Sequence, residues 1–250
     1  MAVEPGMTWL GRAAPMLSNV IAPRGTRGYR TPRCITCGLR VAEPDGYRGH
    51  QATCVCTLWS KLAVQTEVCV LMARSEANKP TNTGRLLSLW LEGCSVQIRG
   101  ERQYVQHEHD PHGHHAGQAG MTTVHSKELA TWAEEGTAVL FPSPNAIPIE
   151  ELPRPRRLIV PDGCWSQARR IMTKNLNPLG LPHVQLTVLT PGSYALRRGA
   201  AQSLCTFEAV TAALRCWEAP ETTAELTRRF EDWHTRALAL RGGPVVPRPA

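Results

Sequence analysis

Four cysteines fall in two close pairs, Cys34-x-x-Cys37 and Cys54-x-Cys56, with sixteen residues between the pairs. Thiolates spaced this way can chelate a tetrahedral zinc ion, each pair from one tight turn. Four protein ligands leave no open position, so such a metal would be structural rather than catalytic. Gly38, directly after the first pair, suits a backbone that folds around a metal, and His50 is an alternative ligand. The competing reading is four free thiols in a loop. Cys69, Cys94, Cys205 and Cys216 sit in apolar patterns and are expected as buried core thiols.

Three further segments combine turn formers with polar side chains. In PTNTGRL (residues 80–86), Asn82, Thr83 and Gly84 form a tight turn that can cap the next helix or face a ligand. Arg85 then places a cation at a helix start, where the macrodipole disfavours it, which points to an anionic partner or to a solvated side chain. VPDGCWSQARR (160–170) sets Asp162 between an apolar run and an amphipathic helix opened by Trp165. Arg169, Arg170 and Lys174 give that helix a basic edge suited to phosphates. Read alone, Asp162 fits a helix-capping carboxylate as well as a catalytic one. YALRRGAAQSLCTFEA (194–209) brings Arg197 and Arg198 ahead of Thr206, a candidate N-cap, and Glu208, an acid in the first helical turn.

The elements that must position these residues alternate. Apolar runs at 67–73, 95–99, 137–141, 157–160 and 184–189 read as buried strands. Helical patterns cover 83–91, 126–135 and 166–175. A fourth starts at Thr206 with Phe207, Val210, Leu214 and Trp217 on one stripe, and a last is capped by Thr222 or Thr223 and runs through Leu240. Such alternation predicts an α/β fold with a mostly parallel sheet, in which ligands lie beyond the carboxyl ends of strands. The loops leaving Ala73, Phe141, Val160 and Leu189 are therefore where a site is expected.

Composition narrows the class. The 250 residues are 42% hydrophobic and 20% charged, which excludes a wholly disordered or fibrous chain. Lysine and arginine outnumber acids 28 to 21, a net charge of +7 that favours a polyanionic partner such as nucleic acid. No apolar run approaches the ~18 residues of a membrane span, and the N-terminus lacks a secretory pattern, so a reduced, cytoplasmic protein is expected. Residues 1–33 read as a flexible basic arm, 34–60 as the cysteine segment, 61–241 as the main domain and 242–250 as a tail. Five of the nine histidines crowd into residues 106–120, an insertion that reads as a solvated loop or a second metal site.

Taken in order, these pieces resemble the DTW-domain family, the tRNA-uridine aminocarboxypropyltransferases. The resemblance rests on Cys34/Cys37/Cys54/Cys56, Glu76 ahead of TNTGR, LFPSPNA (140–146), DGCW (162–165) and LRR…LCTFEA (196–209), and covers residues 33–217. Cys164 and Cys205 stand where the family carries hydroxyl residues. RSEANK replaces a His-Pro start after Ala73, and the histidine insertion is extra.

The resemblance implies a SPOUT-like knotted domain that binds S-adenosylmethionine. It also implies transfer of the 3-amino-3-carboxypropyl group to N3 of a tRNA uridine, with release of 5′-methylthioadenosine. Carried onto this sequence, it makes Asp162 the general base, with Glu208 the second catalytic candidate. Asn82, Thr83, Gly84, Leu140, Pro142, Ser143, Asp162, Trp165, Arg197, Arg198, Thr206 and Glu208 become the cofactor site, and Arg85, Arg169, Arg170 and Lys174 the track for tRNA. Zinc on the four cysteines would be structural. No membrane or protein partner is evident. Two rival readings are an S-adenosylmethionine-dependent RNA methyltransferase of similar fold and a non-catalytic zinc-containing RNA-binding protein.

Overall fold

A computed structural model describes residues 20–21, 33–34, 36–39, 54–77, 79–99, 102–103, 122–123, 127–187, 191–196 and 203–240. Most of the N-terminal arm, His50, the histidine insertion, Arg197, Arg198 and the tail lie outside them.

Six parallel strands form the central sheet: β1 (Glu67–Ala73), β2 (Cys94–Arg99), β3 (Thr137–Leu140), β4 (Ile147–Pro148), β5 (Arg157–Asp162) and β6 (His183–Gln185). Their order is β2-β1-β5-β3-β6-β4, with β1 and β5 adjacent interior strands paired in register, Val70 beside Val160 and Met72 beside Asp162. Parallel strands buried on both faces require continuous apolar runs, which is what β1 and β5 supply. The two-residue edge strand β4 had no sequence signal: it is too short to show a period, and it ends in a proline.

Side-chain alternation divides the core in two. Val68, Val70, Met72, Ala138, Leu140, Leu158, Val160 and Val184 face one layer, packed with α2 (Gly84–Trp90), α5 (Thr206–Leu214) and α6 (Pro220–Ala239). Cys69, Leu71, Val139, Phe141 and Ile159 face the other, packed with α3 (Lys127–Trp132) and α4 (Trp165–Ile171). α1 (Arg74–Ala77) is a single turn at the end of β1. The result is an α/β/α sandwich, as the alternation of apolar and amphipathic runs requires.

Parity then fixes the site's address. Asp162 is in phase with Leu158 and Val160, so the last residue of β5 belongs to the first face, at the strands' carboxyl ends.

Several local expectations are corrected. Thr206 is not the cap of α5 but its first residue; the N-cap is Cys205, which frees the Thr206 hydroxyl for another task. α6 begins at Pro220 with Ala219 as N-cap, because proline's fixed φ suits a first helical position; Thr222 and Thr223 lie inside the helix. α4 ends at Ile171 and passes into a π-turn, Met172–Leu176. α5 stops at Leu214, so Cys216 lies beyond the apolar stripe and is exposed rather than a core thiol. Cys69 is buried, whereas Cys94 and Cys205 are half-buried; burial pushes the Cys94 thiol up to about 12. Among the described residues, no helix is long and apolar enough to cross a membrane.

Candidate active site

Asp162 is only 4% exposed, yet both carboxylate oxygens are engaged by polar side chains from distant parts of the chain. Asn82 donates its Nδ2 to Oδ2 at 2.5 Å, and Thr206 donates its hydroxyl to Oδ1. Asn82 and Thr206 are 124 positions apart; the fold joins them because β1 and β5 are neighbours, with α2 and α5 packed over their shared face. Gly84 makes the approach possible: a Cβ there would lie 3.0 Å from the Asp162 carboxyl and 3.3 Å from Val70. Thr83 completes the contact as its hydroxyl oxygen accepts the Phe207 amide at 3.4 Å. The TNTGR turn, the end of β5 and the start of α5 therefore form one polar cluster inside an apolar wall.

Asn82 does two things at once. Its Oδ1 accepts the Arg85 amide at 3.1 Å, capping α2, while its amide holds Asp162. Arg85 turns back instead of outward: its Nη2 donates to the carbonyls of Ala77 and Lys79, both at 2.7 Å. In the fold this guanidinium clamps the turn before Asn82. The sequence placed Arg85 on the RNA track, and only the folded loop shows carbonyls within its reach.

Glu208 organises a neighbouring loop. It accepts the amides of Ser193 at 2.6 Å and Tyr194 at 3.0 Å and the Ser193 hydroxyl at 3.2 Å, and it closes a capping box with the Cys205 amide at 2.8 Å. Tyr194 in turn donates its hydroxyl to the Thr81 carbonyl at 2.5 Å and lies on an aromatic bed of Phe230, Trp233 and His234. Loop 192–194 is thereby tied both to α5 and to the turn carrying Asn82. This geometry makes Glu208 a positioning residue for the loop that leads toward Arg197 and Arg198.

Trp165 stands on the other side of the rim. It is 57% exposed, with its ring centroid 6.1 Å from Phe141. Phe141 belongs to the second face, so the LFPS loop and Trp165 border the site from that layer. Ser143 lies 2.8 Å from His183 Nδ1; burial holds that imidazole below its usual range, so at neutral pH the uncharged ring can accept the hydroxyl. Pro142 is exposed, and Leu140 is buried on the first face. Arg169, Arg170 and Lys174 are exposed along α4 and its π-turn.

The four cysteine sulfurs lie within 4.8 Å of one another. Sulfur–sulfur separations of 3.6, 3.7 and 3.8 Å match the ~3.8 Å edge of a tetrahedron with zinc–sulfur bonds of about 2.3 Å. The donor set and its spacing thus fit zinc. Gly38 adopts φ +74°, and a Cβ there would strike the Pro80 carbonyl at 2.6 Å, so the knuckle lies flush against the turn leading to Asn82. Trp233 Nε1 donates to the Cys37 carbonyl at 2.8 Å, fastening the same knuckle to α6.

This constellation can be compared with known proteins. The sequence matches the family profile described as DTW domain over residues 32–238. The chain belongs to the DTW-domain family. A curated relative, tRNA-uridine aminocarboxypropyltransferase 2 of Macaca fascicularis, is 27% identical over 197 residues. The match covers 76% of this chain but only 57% of that protein's length. No solved structure matches. Of the residues singled out from sequence, the fold brings Asn82, Thr83, Gly84, Asp162, Thr206 and Glu208 together; Tyr194, whose hydroxyl joins two of the loops, was not among them. Its only signal was an aromatic residue two positions after the Pro191-Gly192 turn pair.

Proposed function

We propose that this DTW protein transfers the 3-amino-3-carboxypropyl group of S-adenosylmethionine to N3 of a tRNA uridine. The observation that carries the reading is the convergence of Asn82, Asp162 and Thr206, supported by family membership. The donor set suits the cofactor: a buried carboxylate complements a cationic sulfonium and ammonium, and an exposed indole offers a stacking face. When bound, S-adenosylmethionine supplies an electrophilic carbon next to a cationic sulfur and leaves as the neutral thioether 5′-methylthioadenosine. The SPOUT-like knot implied by the resemblance is part of the same proposal.

In this reading the chain's residues divide the work. Asp162 accepts the uracil N3 proton, so that the nitrogen lone pair can form the new N–C bond as the C–S bond breaks. Asn82 and Thr206 fix the carboxylate while each oxygen keeps a further lone pair for that proton. Regiochemistry follows from which carbon attached to sulfur faces the base, a matter of orientation. Arg197 and Arg198 would hold the amino-acid carboxylate by bidentate contact. Thr83, Leu140, Pro142, Ser143 and Trp165 would shape the cofactor pocket, and Arg169, Arg170 and Lys174 would follow the tRNA backbone. The four cysteines would hold a structural zinc that braces the Asn82 turn.

Mass analysis of tRNA nucleosides after incubation with protein and S-adenosylmethionine tests the reaction. A uridine heavier by the aminocarboxypropyl group is expected. A methylated nucleoside, or unmodified tRNA, contradicts it.

A further inference from the structure

An open cleft of about 540 Å³ lies beside the Asp162 loop, lined by Ala73, Arg74, Ser75, Arg99, Gln167, Arg170 and Ile171. Three arginines reach it from three separate elements: α1, the carboxyl end of β2, and α4. No lining residue is acidic. The nearest acid in sequence, Glu76, is buried and salt-bridged to Lys79 at 2.6 Å. Arg99 is held in place by a 2.7 Å bond from Nε to Asn175 Oδ1. Arg170 is exposed on α4, with no carboxylate partner among the described residues. Ser75 and Gln167 add neutral polar groups, joined to each other at 2.5 Å.

The cleft has a definite relation to the reaction site. Ala73 and Ile171 belong to the second face of the sheet, whereas Asp162 belongs to the first. Gln167 links the two: its Oε1 accepts the Cys164 amide at 2.9 Å, and a Cβ on Gly163 would lie 2.8 Å from the Gln167 Cβ and 3.3 Å from that of Ala73. The Gly163–Trp165 turn is therefore the ridge between cleft and carboxylate, and Trp165 projects from its end, 57% exposed.

We propose that this cleft is a phosphodiester site that grips the RNA backbone next to the target nucleotide. Three cations without a lining acid select a polyanion, and guanidinium groups match phosphate oxygens in pairs. The phosphates lie in the cleft, and the Gly163–Trp165 ridge separates them from the cofactor side. A nucleotide so held crosses the ridge with its base toward Asp162. Sequence singled out Arg170 alone; Arg74 and Arg99 join it only when β1, β2 and α4 assemble. The proposal rests on the tRNA reading for the identity of the polyanion.

Titrations of tRNA across a salt series test it, comparing the wild-type protein with Arg74→Gln/Arg170→Gln and with Arg99→Gln. Arg215→Gln, at the far end of α5, controls for loss of one charge. S-adenosylmethionine binding by calorimetry and melting temperature are recorded for each. Each lost single-strand phosphate contact lowers the slope of log affinity against log salt by about 0.7, so the double variant should lose about 1.4 and bind roughly tenfold or more weakly at moderate salt. Cofactor binding and melting should match wild type, and the control should keep the wild-type slope. Unchanged tRNA affinity and slope in both cleft variants overturn the proposal. Weakened S-adenosylmethionine binding with normal tRNA binding also overturns it, assigning the cleft to the cofactor's carboxylate. If the slope falls as expected but wild-type protein forms no aminocarboxypropyl product, the cleft stands and the reaction assigned above fails. If product forms and the cleft variants bind tRNA normally, the reaction stands and the cleft fails.

Discussion

Asp162 is positioned by neutral donors, and that sets what its replacement should do. Asp162→Asn removes the proton acceptor while keeping the volume, and it turns an amide toward the Asn82 donor. Turnover should fall by about 10²- to 10⁴-fold, the usual range for a lost general base, while S-adenosylmethionine binding falls less. Single-turnover product formation and calorimetry on the same preparation separate the two effects; wild-type turnover would remove Asp162 as the base. The two thiols that break the family pattern have a plainer meaning at this scale. Cys164 and Cys205 are the N-caps of α4 and α5, and each backbone amide is satisfied by the residue three positions on, Gln167 or Glu208. A hydroxyl there caps a helix better than a thiol, so Cys164→Thr and Cys205→Ser should each raise stability by about 0.5–1 kcal/mol. Thermal melting checks this, and activity should be retained or improved.

At the scale of elements, the cysteine knuckle is a brace for the Asn82 turn. Gly38 lies against Pro80, and α6 grips the Cys37 carbonyl through Trp233. Cys34→Ser with Cys37→Ser should lower bound zinc and melting temperature and also weaken S-adenosylmethionine binding through the turn. Unchanged metal stoichiometry would sink the zinc assignment. α6 carries its own charge device: Glu225 accepts from Arg228 and Arg229 at 2.7 and 2.8 Å, which holds its carboxyl down at about 2. A depressed carboxyl stabilises the fold above its ordinary value of 4.5, and that contribution fades as pH falls from 4.5 toward 2. Glu225→Gln should therefore lose stability at neutral pH and flatten the acid limb of the melting profile; an unaltered limb refutes the linkage. Strand runs and helix stripes were legible in sequence because burial on a face leaves a period. Helix starts were not, since a thiol and an alanine are poor cap formers and only geometry marks them as caps. The inward bonds of Arg85 were not legible for a related reason: its carbonyl partners belong to a loop whose fold no local pattern encodes.

For the whole molecule, one sheet with two dissimilar faces explains the division of labour. The first face holds the polar cluster, backed by the aromatic stack of Phe207, Phe230 and Trp233 and by the cysteine knuckle. The second presents Trp165 and the arginine cleft at the same rim. Strand parity sends Asp162 to one side and Phe141 to the other, so chemistry and backbone grip meet across a single turn. This arrangement could not be read from sequence spacing, because it depends on β5 lying between β1 and β3. The most direct test measures which small molecule is released when wild-type protein and Asp162→Asn are each given tRNA and S-adenosylmethionine. Formation of 5′-methylthioadenosine that depends on tRNA and collapses in the variant is the predicted result. Release of S-adenosylhomocysteine, or 5′-methylthioadenosine formed equally fast by both proteins, would contradict the account.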